Sequence, residues 1–302
     1  MKIVNIIGGL GNQMFQYAFA VALQKRHPGE KVLIDTQLYK SPFIKKFNGN
    51  NFYHNGFEIY KVFPHADIPI ATYKDIIKLS YYIPNYIVSR LARRLLPIRK
   101  MEYILPVDNY FSYDAKALCT KGDCYYEGVW SSIHYFEDVK DELLRHFSFG
   151  DLNVYNENMV QKILSTHSVA IHVRRGDYVG AQNFKDICTF DYYKLAIKKI
   201  LELIDSPSFF IFSNDINWCK SNISPLLGES QVEYVDGNKG KDSPWDMFLM
   251  SKCEAQILAN SSFSWWSAFL NERANTIVVP SRWINRSNNV DLYKESWIKI
   301  EV

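Results

Sequence analysis

Hydrophobic and polar positions along the chain switch between two periods. Lys2 to Ile7 is a short β-branched run, a glycine turn follows, and from Gln13 to His27 the residues Phe15, Phe19, Ala22 and Leu23 recur at helical spacing. Pro28-Gly29 ends that helix, and Lys31 to Asp35 predicts a second strand. The resulting βαβ unit puts the glycine loop at the carboxyl end of the first strand, the edge where open α/β sheets bind ligands. From Thr36 to about Tyr126 the pattern is irregular, rich in Tyr, Phe and Asn, and dictates no fold. The polar stretch Phe149 to Asn156 predicts a linker, dividing the chain into domains 1–150 and 151–302. Beyond it, strands are predicted at Ser168–Val173, Ser208–Ser213, Gln231–Val235, Ala255–Ala259 and Thr276–Val279, with helices near 190–204, 216–223, 244–253 and 262–273. This alternation implies a second parallel sheet.

Composition narrows the partners. The 302 residues suffice for two domains of ordinary size. Thirty-five basic against 32 acidic residues leave a charge of only +3, which argues against a nucleic-acid partner. Cys119, Cys124, Cys188, Cys219 and Cys253 are odd in number and contain no Cys-x-x-Cys pair, so a disulfide framework and a zinc knuckle are both unexpected. The amino-terminal apolar run is far shorter than the roughly 20 residues of a membrane span, and a cytoplasmic location is the expectation. In Lys74 to Lys100, Lys74, Lys78, Arg90, Arg93, Arg94, Arg99 and Lys100 stand against Asp75 alone, amid Ile, Leu and Tyr. That stretch fits a helical insertion with a solvated basic face better than an element lying peripherally on the inner membrane face.

Segments at three strand ends carry candidate chemistry. In Gly8-Gly9-Leu10-Gly11-Asn12-Gln13-Met14-Phe15-Gln16 the glycines permit positive φ and close backbone approach, and the amides opening the next helix would attract an anion or a sugar hydroxyl. Gly9-x-Gly11 with Asp35 at the next strand's end also admits a dinucleotide-binding dehydrogenase, but position 14 is Met where a third small residue belongs. A tight turn capped at Asn12 explains the glycines and leaves Gln13 and Gln16 unexplained.

The second segment, His172-Val173-Arg174-Arg175-Gly176-Asp177-Tyr178, ends the strand that opens the second domain. Alternation puts His172 and Arg174 on one face, and Arg175 joins them only if the strand has ended, which Gly176 permits. Two guanidinium groups suit a diphosphate, whereas a structural ion pair through Asp177 would neutralise one of them. In the third segment, Asn260-Ser261-Ser262-Phe263-Ser264-Trp265-Trp266-Ser267, Ser261 or Ser262 would cap a helix whose free N–H groups form a second phosphate cradle. An ordinary serine cap over core tryptophans fits that segment equally well. Asp215 and Asp246 are either helix caps or acceptors for a ribose or a guanine edge. The chain has no Asp-x-Asp pair and no metal-ligand spacing, so a diphosphate would be neutralised by arginines and helix ends, and no metal cofactor is expected.

Together, GGLGNQMFQYAFA, HVRRGDY and NSSFSWWSAFL, in that order between residues 8 and 270, resemble the α-1,2-fucosyltransferase family. The resemblance implies a GT-B fold: an α/β protein of two Rossmann-like domains with parallel sheets facing across a cleft. It implies GDP-fucose as donor, inversion at the anomeric carbon, a galactose-terminated glycan as acceptor, and no metal. It puts Arg174 and Arg175 on the donor diphosphate, His172 beside the nucleotide, Asp246 on guanine, and Ser261 and Ser262 on phosphate. Gly9, Gly11, Asn12 and Gln13 fall on a loop near fucose or acceptor. Asp177 is the nearest carboxylate for a general base, but two adjacent arginines would depress its pKa and make it a better orienter of guanidinium groups. The alternatives are a fucosyltransferase of different acceptor or linkage, and a non-enzymatic carbohydrate-binding protein, for which 15% aromatic residues would supply stacking surfaces.

Overall fold

A computed structural model describes residues 1–40, 55–79, 86–96, 102–104, 112–285 and 291–302. The chain forms two compact units, Met1–Gly150 with Asp291–Tyr293, and Asp151–Val290 with Lys294–Val302. The late return of Asp291 to the first unit is tied down by backbone groups. The Tyr113 N–H donates to Asp291 Oδ2 at 2.9 Å and the Ile133 N–H to its carbonyl at 3.2 Å.

The first unit holds β1 (Lys2–Asn5), β2 (Val32–Asp35), β3 (Glu102–Ile104) and β4 (Cys124–Tyr126) in a parallel sheet of order β2-β1-β4-β3. The helix Leu10–Arg26 crosses from β1 to β2. Apart from Asn12 it is buried from Leu10 to Leu23, because Ala18 to Leu23 presents no polar side to water. Phe19 stacks on Trp130 with ring centroids 4.3 Å apart, and Lys25 and Arg26 lie in the last turn, where cations complement the helix dipole.

The basic stretch is organised differently from the expected solvated face. Its described parts are the helices Tyr73–Leu79 and Tyr86–Leu95, while Arg99 and Lys100 lie outside the described residues. The second helix turns its arginines inward. Arg90 Nε and Arg94 Nη2 reach Glu127 Oε1 at 2.6 and 2.9 Å, and Arg93 Nη2 lies 3.9 Å from Oε2. Arg93 is buried with its guanidinium 4.5 Å above the Tyr125 ring. The outward side carries Val88, Leu91 and Leu95, exposed by 41, 51 and 77%. Glu127, just past β4, is 1% exposed, and a carboxylate removed from water requires cations around it, which outweighs the usual preference for apolar groups inside. Among the described residues no helix is long and apolar enough to cross a membrane.

The second unit is a six-stranded parallel sheet of β5 (Ser168–Val173), β6 (Ser208–Ser213), β7 (Gln231–Val235), β8 (Ala255–Ile257), β9 (Thr276–Pro280) and β10 (Ile298–Ile300), ordered β10-β9-β8-β5-β6-β7. Both faces are covered, which is why β5, β6 and β9 read as near-continuous apolar runs. Val169, Ile171, Phe209 and Ile211 pack on one side against Tyr192, Tyr193 and Ile197 of the helix Phe190–Leu203. Ala170, Phe210 and Phe212 pack on the other against Met159 and Ile163 of the helix Val154–Leu164 and Leu249 and Met250 of the helix Pro244–Met250. From β5 the chain steps outward to β6 and β7, then crosses back to β8. The strand order therefore reverses between β5 and β8, where ligands bind in sheets of this type.

Glu127→Gln should cost about 3–5 kcal/mol, the usual penalty for removing one partner of a buried ion pair, read from the midpoint of chemical denaturation. An unchanged midpoint would show that the arginine helix docks without the charge.

Candidate active site

At the end of β1 the chain turns through Gly8, whose φ of +83° favours glycine, and a Cβ there would lie 2.8 Å from Asn12 Nδ2. Gly9 is extended and takes the N-cap position of Leu10–Arg26, so Asn12 stands in the first turn of the helix and does not cap it. Gly11 is buried in the same turn. Gln13 is spent on the loop itself. It is wholly buried, Nε2 donating to the carbonyls of Gly8 and Gly56 at 3.0 and 2.8 Å and Oε1 accepting from the Glu58 N–H at 2.9 Å. Gln16 likewise accepts from the Ile7 N–H at 2.9 Å and donates to the Gly128 carbonyl at 3.0 Å. The two amides satisfy backbone groups that an irregular buried loop leaves unpaired. In this loop the half-buried Asn12 side chain remains available to a ligand.

Asp35, the acid a dinucleotide enzyme would offer to a ribose, is also consumed. It is fully buried, accepting from Tyr125 Oη at 2.6 Å and from the Gln37 N–H at 2.9 Å, and desolvation raises its pKa. The dehydrogenase reading thus loses its second residue.

The loop after β5 carries the cationic groups. His172 is buried, its ring centroid 6.0 Å from that of Phe263, and burial followed by the Arg174 charge lowers its pKa to about 3, so the ring is neutral. Its Nδ1 has no hydrogen-bond partner among the described residues. The Arg174 guanidinium lies 5.5 Å from the centroid of the Tyr178 ring. Arg175 rests 4.3 Å above the Trp218 ring, and its Nε donates to Asp215 Oδ2 at 3.2 Å. Asp215 Oδ1 accepts from the Trp218 N–H at 3.1 Å and so caps the helix Ile216–Asn222.

Asp215 is therefore engaged within the protein, capping a helix and pairing with Arg175. Asp177 belongs to the helical turn Gly176–Tyr178, and its side chain lies outside the described residues. Gly176 has φ +40°, and a Cβ there would lie 2.5 Å from Asn214 Nδ2, while Asn214 Oδ1 accepts from the Arg175 N–H at 2.9 Å. The backbone around the arginines is thereby fixed from β6.

Beyond β8, Ser261 holds the N-cap position of the helix Ser262–Phe269, but its hydroxyl makes no capping hydrogen bond. Ser262 opens the helix, half-buried. The expected serine cap is not formed, so the first-turn amides keep their donor capacity. Trp265 and Trp266 are fully buried and Ser264 Oγ donates back to the Ala259 and Ser261 carbonyls at 3.2 and 3.1 Å, which holds the helix start rigidly against the sheet. Strands β5 and β8 are hydrogen-bonded neighbours, about 4.8 Å apart, so this helix start and the arginine loop flank the point of strand reversal.

Asp246 lies in the first turn of Pro244–Met250, half-buried, with Oδ1 accepting from Asn238 Nδ2 at 2.9 Å. Desolvation outweighs that bond, and with Asp236 nearby its pKa rises to about 7. Among the described residues no group of three His, Cys, Asp or Glu side chains could hold a metal ion. Sequence reasoning misses Asn214, Trp218 and Asn238. Asn214 was legible as the polar residue next to Asp215 at a strand end, whereas Trp218 and Asn238 carry no local signal.

Two substitutions test this geometry. Gly176→Ala should cost about 1–2 kcal/mol for the left-handed backbone and more for displacing Asn214, seen as a lower Tm together with weaker nucleotide binding. For Asp246 the folded pKa lies near 7 and the ordinary value at 3.8, so the native state is penalised progressively as pH rises between them. Asp246→Asn should accordingly be more stable than the parent at pH 8, by on the order of a few kcal/mol, and no more stable below pH ~4 in denaturant titrations.

Comparison with known proteins places the whole chain. The model of glycosyl transferase family 11 matches residues 1–301. An alpha-1,2-colitosyltransferase of Escherichia coli is 32% identical over 307 residues, 99% of this chain and 98% of the relative. A galactoside alpha-(1,2)-fucosyltransferase 1 of Leontocebus fuscicollis is 26% identical over 155 residues, 47% of this chain and 42% of the relative. A GDP complex of an Arabidopsis thaliana FUT1 mutant superposes with a TM-score of 0.52 at 13% identity, over 95% of this chain and 72% of that one, and shares the GT-B fold. With its parallel α/β units and its full-length match, this chain is a glycosyltransferase of family 11, the family of the α-1,2-fucosyltransferases.

Proposed function

We propose that the protein transfers fucose from GDP-fucose, with inversion and without a metal ion, to the 2-hydroxyl of a terminal β-galactoside, forming Fucα1-2Gal. The observation that carries this reading is the placement of Arg174, Arg175 and the uncapped start of Ser262–Phe269 on either side of the β5–β8 reversal. As the glycosidic bond lengthens, negative charge accumulates on the leaving diphosphate. Donors already aimed at those oxygens stabilise that charge more than they stabilise the ground state. Arg175 is suited to this because only its Nε is engaged, by Asp215, so that both Nη groups can donate forward. Neutral His172 lies beside the nucleotide and adds no charge. An oxocarbenium-like transition state needs little help from a base, and Asp177 serves chiefly to orient the arginine loop.

A second reading keeps the same machinery with GDP-colitose as donor, favoured by the colitosyltransferase that is similar across nearly the whole chain. Colitose is fucose without its 3-hydroxyl, so the two readings differ at one contact to the sugar.

Purified protein given GDP-fucose and lactose, with chelator present, should yield a product whose fucose is α-linked to the galactose 2-position by NMR. No transfer by folded protein would overturn the fucose reading, transfer from GDP-colitose alone would select the second, and loss of turnover with chelator would remove metal independence. Arg175→Ala should lower turnover by roughly two to three orders of magnitude while circular dichroism is unchanged.

A further inference from the structure

Asn153, Asn156 and Asn238 have no part in the scheme above, yet they form a hydrogen-bonded chain that ends on Asp246. We propose that this chain is the positioning device for Asp246: it fixes which way the Asn238 amide faces, and through it which carboxylate oxygen is left for the nucleobase, so that Asn156 and Asn238 set the preference for guanine. The proposal rests on the reading that Asp246 meets the base of the donor.

The direction of the chain is set at its far end. Asn153 caps Val154–Leu164, its Oδ1 accepting from the Asn156 backbone N–H at 2.9 Å. A backbone amide can only donate, so that atom of Asn153 has to be oxygen. Asn156 Nδ2 donates to the same oxygen at 3.0 Å, which orients the Asn156 amide. Its second hydrogen reaches Asn238 Oδ1 at 3.1 Å, and its own oxygen accepts from Asn238 Nδ2 at 2.8 Å. With the oxygen of Asn238 committed to Asn156, its remaining N–H faces Asp246 Oδ1 at 2.9 Å. A flipped Asn238 would instead set an amide oxygen against a carboxylate.

The supports of this chain are rigid. Asn156 is fully buried and Asn238 is 7% exposed, so water does not compete for the bonds. Beside them, the Gly237 N–H donates to Tyr155 Oη at 3.2 Å, and a Cβ at Gly237 would lie 2.4 Å from the Tyr155 ring. Two consecutive residues of the helix thus grip two consecutive residues of the loop after β7.

Asp246 Oδ2 makes no hydrogen bond among the described residues, so it is the oxygen left for the adjacent ring and exocyclic N–H donors of guanine. Recognition of such donors requires the ionised form. Of the groups facing Asp246, the Asp236 carboxylate on the loop opposes ionisation, Tyr155 on the helix is a neutral phenol whose pKa is raised, and the Asn238 N–H favours the charged form. Losing that N–H should both let the carboxyl rotate and hold its proton to higher pH.

The test compares GDP with inosine diphosphate, which lacks the exocyclic amine, by calorimetry across the neutral pH range. Asn156→Ala and Asn238→Ser should each reduce the preference for GDP about tenfold, with a smaller loss of affinity for inosine diphosphate, which keeps the ring N–H, and should move the pH midpoint of GDP binding upward. Thermal unfolding accompanies each variant, and Asn238→Ser, on a loop, decides the matter if the buried Asn156→Ala does not fold. An unchanged base preference and midpoint in folded Asn238→Ser overturns the proposal. Asp246→Asn separates the two readings: undiminished GDP binding there removes Asp246 from the base, whereas weakened binding there beside an unaltered Asn238→Ser refutes the asparagine chain alone.

Discussion

Parallel pairing of β5 with both β6 and β8 is the constraint on which the rest of the second unit depends. Because every strand runs the same way, every strand's carboxyl end opens on one edge, and residues far apart in sequence arrive there without further arrangement. Arg175 meets Asp215 because β5 and β6 end side by side, and Ser262 arrives next to the arginine loop because β8 lies on the other flank. The sheet is buried on both faces, so this register cannot slip without moving apolar side chains such as Ile171 and Phe210 from one packed layer to the other.

Charge is handled oppositely in the two units. Around Glu127 three arginines surround one carboxylate, and Arg93 among them is buried. At the end of β5 the Arg174 guanidinium lies beside Tyr178 and that of Arg175 on Trp218, with Asp215 reaching Nε of the latter. The first arrangement secures a helix; the second sets two guanidinium groups at the strand-end edge of the sheet, Arg175 with a carboxylate on one nitrogen.

Much of this was legible in the sequence, and unevenly. The limits of β5 and β6 follow from apolar runs closed by polar turns and those of β7 from alternation, and Arg174 and Arg175 announce themselves because paired charges seldom end a buried strand. Strands β3, β4 and β10 are three residues each, too short for any period to register. The arginine helix is misread because its polar side faces a buried acid, which no pattern along the chain reveals. Gln13 and Asp215 are singled out as unusual, and each is bonded to groups of the protein itself. A side chain that satisfies a neighbouring backbone group and one that faces a ligand look identical in one dimension. The asparagine network is invisible for the same reason, since Asn153, Asn156 and Asn238 each look like ordinary cap or turn residues.

The seat of Arg175 also explains why the residue has to be a guanidinium. Its flat group lies on an indole, and one nitrogen stays behind on a carboxylate while two others keep their donors. A lysine has a lone terminal nitrogen at the tip of a flexible stem, so holding on to Asp215 and reaching outward would be alternatives for it. The division of labour within one side chain depends on having several donors in one plane, and the aromatic shelf beneath them keeps that plane level.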